Sequence, residues 1–202
     1  MTTLLDDVSR ETLDQLRALE DIAQKWTTKI NLVSRESAKS LWERHILDSV
    51  QIYRAAPTQV GHWADLGSGG GFPGLVVAIF AQASDSPLQV TLVESDERKC
   101  AFLRAALRET GAVATIINER IEAVPPLNAD VLSARALAEL STLMLYAERH
   151  LASNGTAIFP KGAQWKNEVE AVKSEWKFDC SVIKSELKAD AAILSIKGVS
   201  RV

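Results

Sequence analysis

Five of the chain's ten glycines fall within eight residues, inside the run Asp65-Leu66-Gly67-Ser68-Gly69-Gly70-Gly71-Phe72-Pro73-Gly74. No helix or strand interior tolerates that density, because glycine loses the most backbone freedom on ordering. The segment reads as a loop whose backbone takes positive φ or approaches a ligand closely. It follows a short apolar run, His62–Leu66, that reads as a strand, and it opens a helical stretch, Gly74–Ala83. Pro73 suits the first helical turn, where its missing N–H is no loss. A strand, glycine loop and helix in that order place the loop at the carboxyl end of a strand, where open α/β sheets bind ligands.

The rest of the chain agrees with that class. After His62–Leu66 the candidate strands are Val90–Glu94, Ala114–Asn118, Asp130–Ser133, Thr156–Phe159, Ser181–Ile183 and Ala191–Ile196. The helices between them are Gly74–Ala83, Glu97–Thr110, Leu137–Leu151 and Gln164–Lys177. Strands alternating with helices imply βαβ units and a mostly parallel seven-stranded sheet covered on both faces. The connection Lys184–Asp190 is too short for a parallel crossover, so the last two strands are expected to pair antiparallel at the sheet edge. Before the sheet, Leu13, Leu16, Leu19, Ile22, Ala23, Trp26 and Ile30 fall on one helical face. A Ser-rich break separates them from a second helical set, Leu41, Trp42, Ile46, Leu47, Val50 and Ile52. Residues 1–55 thus read as an N-terminal helical cap, and 56–202 as the α/β core.

Composition narrows the class further. With 202 residues, 47% of them apolar, the chain can bury a core without disulfide or metal staples. No apolar run approaches the roughly 20 residues of a membrane span. Met1–Arg10 carries two Asp and no apolar stretch, so it is no secretory signal. Cys100 and Cys180 are far apart and suggest neither a metal nor a disulfide. A reduced, cytoplasmic compartment follows, with no metal and no membrane partner. The net charge of −3 argues against nonspecific coating of nucleic acid. A local basic patch stays open, since residues 150–202 hold eight Lys and Arg against six Asp and Glu.

Two cofactors compete for the loop. Gly69-x-Gly71-x-x-Gly74 satisfies the dinucleotide pattern, with Glu94 at the distance of a ribose-binding acid. Asp65-x-Gly67-x-Gly69 instead resembles the first motif of Rossmann-like methyltransferases, which bind S-adenosylmethionine. The chemistry separates them. Asp65 would repel a pyrophosphate but suits the ammonium of an amino-acid tail, directly or through water. Counted from Gly67, the third glycine of the fingerprint is Phe72. Both points favour S-adenosylmethionine, with Glu94 accepting from the ribose hydroxyls.

Methyl transfer from a sulfonium needs orientation, plus whatever activates the acceptor. Exocyclic base amines usually go with an (Asn/Asp)-Pro-Pro-aromatic motif after the fourth strand, and pyrimidine C5 with a cysteine nucleophile. Here the fourth strand runs into Ser133-Ala134-Arg135-Ala136, which has neither, and Cys100 sits among apolar helix neighbours as a small core residue. The acceptor therefore already owns a free lone pair, as guanine N7 does. Arg135 is assigned to organising the cofactor or the pocket.

Further runs carry a family resemblance. They are Asn31-Leu32-Val33-Ser34, Arg44-His45-Ile46-Leu47-Asp48-Ser49, the glycine loop, Glu94-Ser95, Lys99-x-x-Phe102-Leu103, Arg120-Ile121-Glu122, Ser133-Ala134-Arg135-Ala136 and Pro160-Lys161-Gly162. Together, over about residues 25–165, they resemble the small-subunit ribosomal RNA methyltransferase G family, also called glucose-inhibited division protein B. The last forty residues match weakly. The resemblance implies the Rossmann-like class I methyltransferase fold, and methylation at N7 of one guanosine in 16S rRNA, in the small subunit or its precursor. It implies S-adenosylmethionine binding through Gly67, Phe72, Ile121, Glu122 and Arg135, beside Asp65, Gly69 and Glu94 from the motif itself. A backbone N–H and an apolar side chain at Ile121-Glu122 would hold the adenine.

No residue stands out as an acid or base. His45 and Asp48, three apart on one helix face, either help to place the RNA or form a local pair that holds the cap. Lys161, after the fifth strand, is placed to meet an RNA phosphate or guanine O6. Arg35, Lys39, Arg44, Lys161 and Lys166 are expected to border one basic mouth. Lys161, Lys166, Lys173 and Lys177 recur at near-helical spacing with Trp165 and Trp176 among them, which reads either as a basic face with stacking aromatics or as an amphipathic helix with buried Trp. A monomer is expected. A small-molecule methyltransferase, which predicts a closed apolar pocket, and a non-catalytic binding protein remain as alternatives.

Overall fold

The computed structural model describes residues 4–84 and 87–202, the side chain of Arg35 apart. Seven strands form one sheet: β1 (His62–Leu66), β2 (Gln89–Val93), β3 (Thr115–Ile117), β4 (Ala129–Ala134), β5 (Leu151–Lys161), β6 (Trp176–Lys184) and β7 (Ala192–Arg201). Their order is β3-β2-β1-β4-β5-β7-β6. The first five run parallel, while β7 lies antiparallel between β5 and β6. The strand order reverses between β1 and β4, and a ligand crevice opens at such a point.

The period-2 alternation of the strands sorts their side chains onto two apolar layers. Trp63, Val131 and Ile158 face one layer, with α1 (Arg10–Thr27), α3 (Asp48–Arg54), α4 (Gly74–Ala83) and α5 (Glu97–Thr110). Ala64, Leu132 and Phe159 face the other, against α6 (Leu140–His150) and α7 (Trp165–Val172). The N-terminal helices thus share a layer with two helices of the α/β core. Each helix has readable ends. The Ser9 hydroxyl caps α1 by accepting from Thr12 N–H, and Asp96 caps α5 by accepting from Arg98 and Lys99 N–H. Gly111, with φ +70°, closes α5.

Several boundaries differ from the expectation, each for a local reason. The first helix ends at Thr27 rather than Ile30, where the Thr27 and Thr28 hydroxyls bond back to Ala23 and Lys25 carbonyls. The Ser-rich break contains a one-turn helix, α2 (Arg35–Ala38), capped by Ser34. Residues Trp42–Leu47 are wound as a π-helix running directly into α3. Helix α6 starts at Leu140, because residues 135–139 form an irregular segment. Helix α7 ends at Val172 and not Lys177. Trp176 and Lys177 belong to β6, where Trp176 pairs with Arg201 and is buried. A face of Lys161, Lys166, Lys173 and Lys177 therefore does not exist, since Lys161 lies in β5 and Lys177 in β6. Pro73 sits just before α4, not within its first turn, and its peptide bond with Phe72 is cis.

Candidate active site

The glycine loop leaves β1 with Gly67, Gly69 and Gly71 at φ +62°, +54° and +82°. L side chains resist that left-handed conformation. Packing adds a second constraint at Gly74. A Cβ there would meet Leu92 Cδ2 at 2.3 Å and Asp65 Oδ2 at 2.8 Å, so only glycine lets α4 start this close to the sheet. Gly74 N–H donates to Asp65 Oδ2 at 3.3 Å.

Asp65 lies beneath the loop rather than in its mouth. The Ser133 hydroxyl donates to Oδ1 at 2.6 Å, and the Trp63 indole N–H in turn donates to that hydroxyl at 2.9 Å. Burial pushes the Asp65 carboxyl up to about 6, against the opposing hydrogen bonds from Ser133, Ser68 and Gly74. Of the two contacts with an ammonium left open by the sequence, direct or through water, the direct one is not available to so enclosed a carboxylate; Asp65 ties β1, β4 and α4 together. Trp63 and Ser133 were not foreseen in this role. Their only signal was a hydroxyl after the apolar pair Val131-Leu132 of β4.

Glu94, at the end of β2, is presented differently. Gly69 N–H donates to Oε2 and Asp96 N–H to Oε1, each at 2.8 Å. The carboxylate is thereby fixed with lone pairs left on both oxygens. It lines a cavity of about 260 Å³ with Gly67, Ser95, Ile121, Glu122 and Tyr146. Ile121–Ala123 form one 3-10 turn, with Ile121 buried and Glu122 exposed. The Tyr146 hydroxyl donates to Glu122 at 2.5 Å, which lowers the Glu122 pKa and pushes that of Tyr146 up to about 12. Tyr146 was missed because nothing in α6 marks one aromatic as facing a cleft. This set fits S-adenosylmethionine: glycine backbone at the strand end, an acid where ribose hydroxyls would lie, and an apolar residue beyond it. Phe72 does not line this cavity. It is buried against His45, ring centroids 5.1 Å apart.

The segment after β4 joins core and cap. Arg135 Nη2 donates to the Arg44 carbonyl at 2.9 Å and to His45 Nδ1 at 2.7 Å, and Nε lies 3.4 Å from Asp48 Oδ2. His45 and Asp48 therefore meet through Arg135 and not as a pair. A guanidinium only donates, so His45 Nδ1 must be the acceptor and its proton rests on Nε2. Burial, reinforced by the charges of Arg135, Arg44 and Lys188, drives the His45 pKa down to about 3. Burial likewise raises that of Asp48 and lowers that of Arg135. Arg135, assigned from the sequence to organising the cofactor or the pocket, is mostly enclosed and lies five residues ahead of α6.

A second cavity, of about 390 Å³, opens at the carboxyl ends of β4 and β5. Asp48, Arg135, Lys161, Glu168 and Lys188 line it. Ala136 lines this cavity and the first one as well, and holds φ +51°. Lys161 is turned inward, paired with Glu168 at 2.5 Å and donating to the Ala138 carbonyl at 3.1 Å. It is thus not the free cation expected at an RNA mouth. Lys39 and Lys166 are exposed and Arg44 half-buried, with Lys166 placed over the Trp165 ring at 5.5 Å. Trp176 is buried and unavailable for stacking. The side chain of Arg35 lies outside the described residues.

Comparison with known proteins places this geometry. The family model for rRNA small subunit methyltransferase G matches residues 12–193, beyond the stretch whose motifs are legible by eye. A ribosomal RNA small subunit methyltransferase G from Ruegeria sp. (strain TM1040) is 56% identical over 97% of this chain and 95% of its own. Its counterpart from Ruegeria pomeroyi is 50% identical over 97% and 96%. Among solved structures, a TehB-like SAM-dependent methyltransferase from Corynebacterium glutamicum is similar with a TM-score of 0.58 at 16% identity, covering 89% of this chain and 97% of that one. The expected Rossmann-like α/β methyltransferase fold is the observed one. On the family match and on identities of half or more over nearly the full length, the chain belongs to the rRNA small subunit methyltransferase G family.

Proposed function

We propose that the protein transfers a methyl group from S-adenosylmethionine to N7 of one guanosine in 16S rRNA. The observation that carries this is the wall shared by two cavities. The glycine-loop cavity has a cofactor's complement of groups, and Ala136 borders both it and the larger cavity beyond β4 and β5. A base in the second cavity would lie beside the first, with Ala136 between them, and such proximity is what a displacement needs.

When bound, the cofactor supplies an activated methyl group on a sulfonium. The chain's own residues supply place and field. Gly67 and Gly69 would let the backbone approach the amino-acid end, and Glu94 would accept from the ribose hydroxyls. Ile121 would pack on the adenine, and Glu122 is steadied by Tyr146. Phe72 acts from behind the loop, and Arg135 fixes the cap over the site. Guanine N7 has no proton to remove, so no general base is required. His45 suits that chemistry, being held neutral with its Nδ1 occupied by Arg135.

Residues 1–55 act as a cap over the core, and Lys39, Arg44 and Lys166, with Arg35, meet RNA phosphates around the opening. The charged lining of the second cavity supports an RNA base over a small apolar acceptor. The enzyme works as a cytoplasmic monomer on the small subunit or its precursor. Labelled S-adenosylmethionine and undermethylated small subunits test the reading: label should appear as N7-methylguanosine at one position, mapped by chemical strand scission. Label at another atom, or none, would refute it.

A further inference from the structure

We propose that the cavity at the ends of β4 and β5 reads the target base through Asp48, whose carboxylate accepts from guanine N1–H and the 2-amino group. The inference rests on the acceptor reading above and adds the group that chooses guanine. Three observations lead to it.

The first is position. Ala136 marks the side of the cavity that borders the cofactor cleft. N7 must face that side, so the opposite edge of the purine, with N1 and the 2-amino group, faces away from it. Asp48 enters the cavity from the cap, on a different element. Ala136 also holds a left-handed φ of +51°, a conformation that persists in a residue with a Cβ only where its surroundings enforce it.

The second is capacity. Glu168 is already engaged, by Lys161 at 2.5 Å and by Leu140 N–H at 2.9 Å. Among the described residues, the one ion pair of Asp48 reaches Oδ2 alone, at 3.4 Å from Arg135 Nε. Its side chain is 24% exposed, which leaves Oδ1 and a share of Oδ2 for donors from a ligand.

The third is charge. A carboxylate matches the two adjacent donors of guanine, whereas adenine at that edge presents the N1 lone pair and would be repelled. The reaction then strengthens the contact. The N7 lone pair forms the new N–C bond while the C–S bond breaks and its electrons pass to sulfur. Sulfur becomes a neutral thioether and the purine ring gains the positive charge. That charge makes N1–H a stronger donor, so Asp48 binds the transition state better than the substrate, which raises kcat.

The test compares small subunits reconstituted with guanosine or inosine at the methylated position, inosine lacking the 2-amino group. Two readouts are used: kcat/KM for transfer, and equilibrium binding of the particles to enzyme carrying S-adenosylhomocysteine. The wild type should prefer guanosine by about tenfold or more in kcat/KM, the value of one hydrogen bond to a charged group. Asp48→Asn should lower transfer to guanosine, narrow the preference to about twofold in both readouts, and keep its affinity for S-adenosylhomocysteine. Asp179→Asn, at an exposed position of β6 outside the cavity lining, should keep the wild-type ratio. The proposal is overturned if the wild type does not distinguish the two bases, if Asp48→Asn retains the full preference, or if Asp179→Asn abolishes it. N7 label with an unchanged preference sinks this inference alone; label at another atom sinks the acceptor reading with it.

Discussion

Asp65 and His45 are both buried, and acid acts on them in opposite senses. The folded pKa of His45, about 3, lies below its ordinary 6.5. As pH falls from 6.5 toward 3, the unfolded chain takes up a proton that the folded one refuses, and stability is lost. The folded value of Asp65, about 6, lies above its ordinary 3.8. Between those values the folded state holds a proton the unfolded state releases. Its stabilisation is therefore full below about 4 and disappears as pH rises through 6. The two effects oppose each other between pH 4 and 6. Asp65→Asn should make the Tm fall more steeply from pH 6.5 to 4.5 than in the parent, and His45→Gln should make it fall less, as thermal denaturation across that range would show. A second prediction concerns Gly74. Gly74→Ala must displace Leu92 or Asp65, with contacts of 2.3 and 2.8 Å to clear. Overpacking of this kind destabilises by about 1–3 kcal/mol. Chemical denaturation should show that loss, and calorimetry a weaker affinity for S-adenosylhomocysteine, because the loop is anchored there.

At the scale of elements, the connection between β6 and β7 is held by the cap. Gln51, on buried α3, accepts from Glu186 N–H at 2.7 Å through Oε1. Ser185, Lys188 and Asp190 of that connection line the larger cavity. Gln51→Leu should free it: exchange of the Glu186 amide should quicken by about tenfold or more, the opening energy falling by roughly one hydrogen bond. KM for small subunits should rise while cofactor affinity holds. None of this was legible beforehand, because Gln51 sits between Val50 and Ile52 as one polar residue in an apolar set, and its partner is remote in sequence. Elements with local determinants were legible. Gly74–Ala83 and Glu97–Thr110 are found at the expected residues, the first opened by the glycine loop and the second bounded by Asp96 and Gly111. The π-helix was not, since Trp42–Leu47 carries ordinary helix-forming residues. Within that turn the Arg44 carbonyl accepts from Arg135, ninety-one residues away. The motif residues of the loop were readable because backbone conformation there demands glycine. The inward turn of Lys161 depends on Glu168 and could not be read from either alone.

At the scale of the whole molecule, the charge of −3 limits how the protein holds RNA. With Lys161 paired inside, few cations remain around the opening, and each phosphate contact contributes a salt slope of about −0.7 to −0.9. We expect the logarithm of the association constant for small subunits to fall with log salt by a slope shallower than about −5, measurable by filter binding. No helix among the described residues is long and apolar enough to cross a membrane. The order of its strands carries one more consequence. Strand β7 lies inside β6 although it follows it in the chain. While the polypeptide emerges from a translating ribosome, β6 has no neighbour to pair with, and the flank of β5 stays open, until Ala192–Arg201 has appeared. The α/β half can assemble first, as early-made parts of a chain generally do. The wall formed by residues 185–191, and with it the cavity proposed to take the base, is then among the last parts to close. A nascent copy would be able to hold its cofactor before it could accept a base.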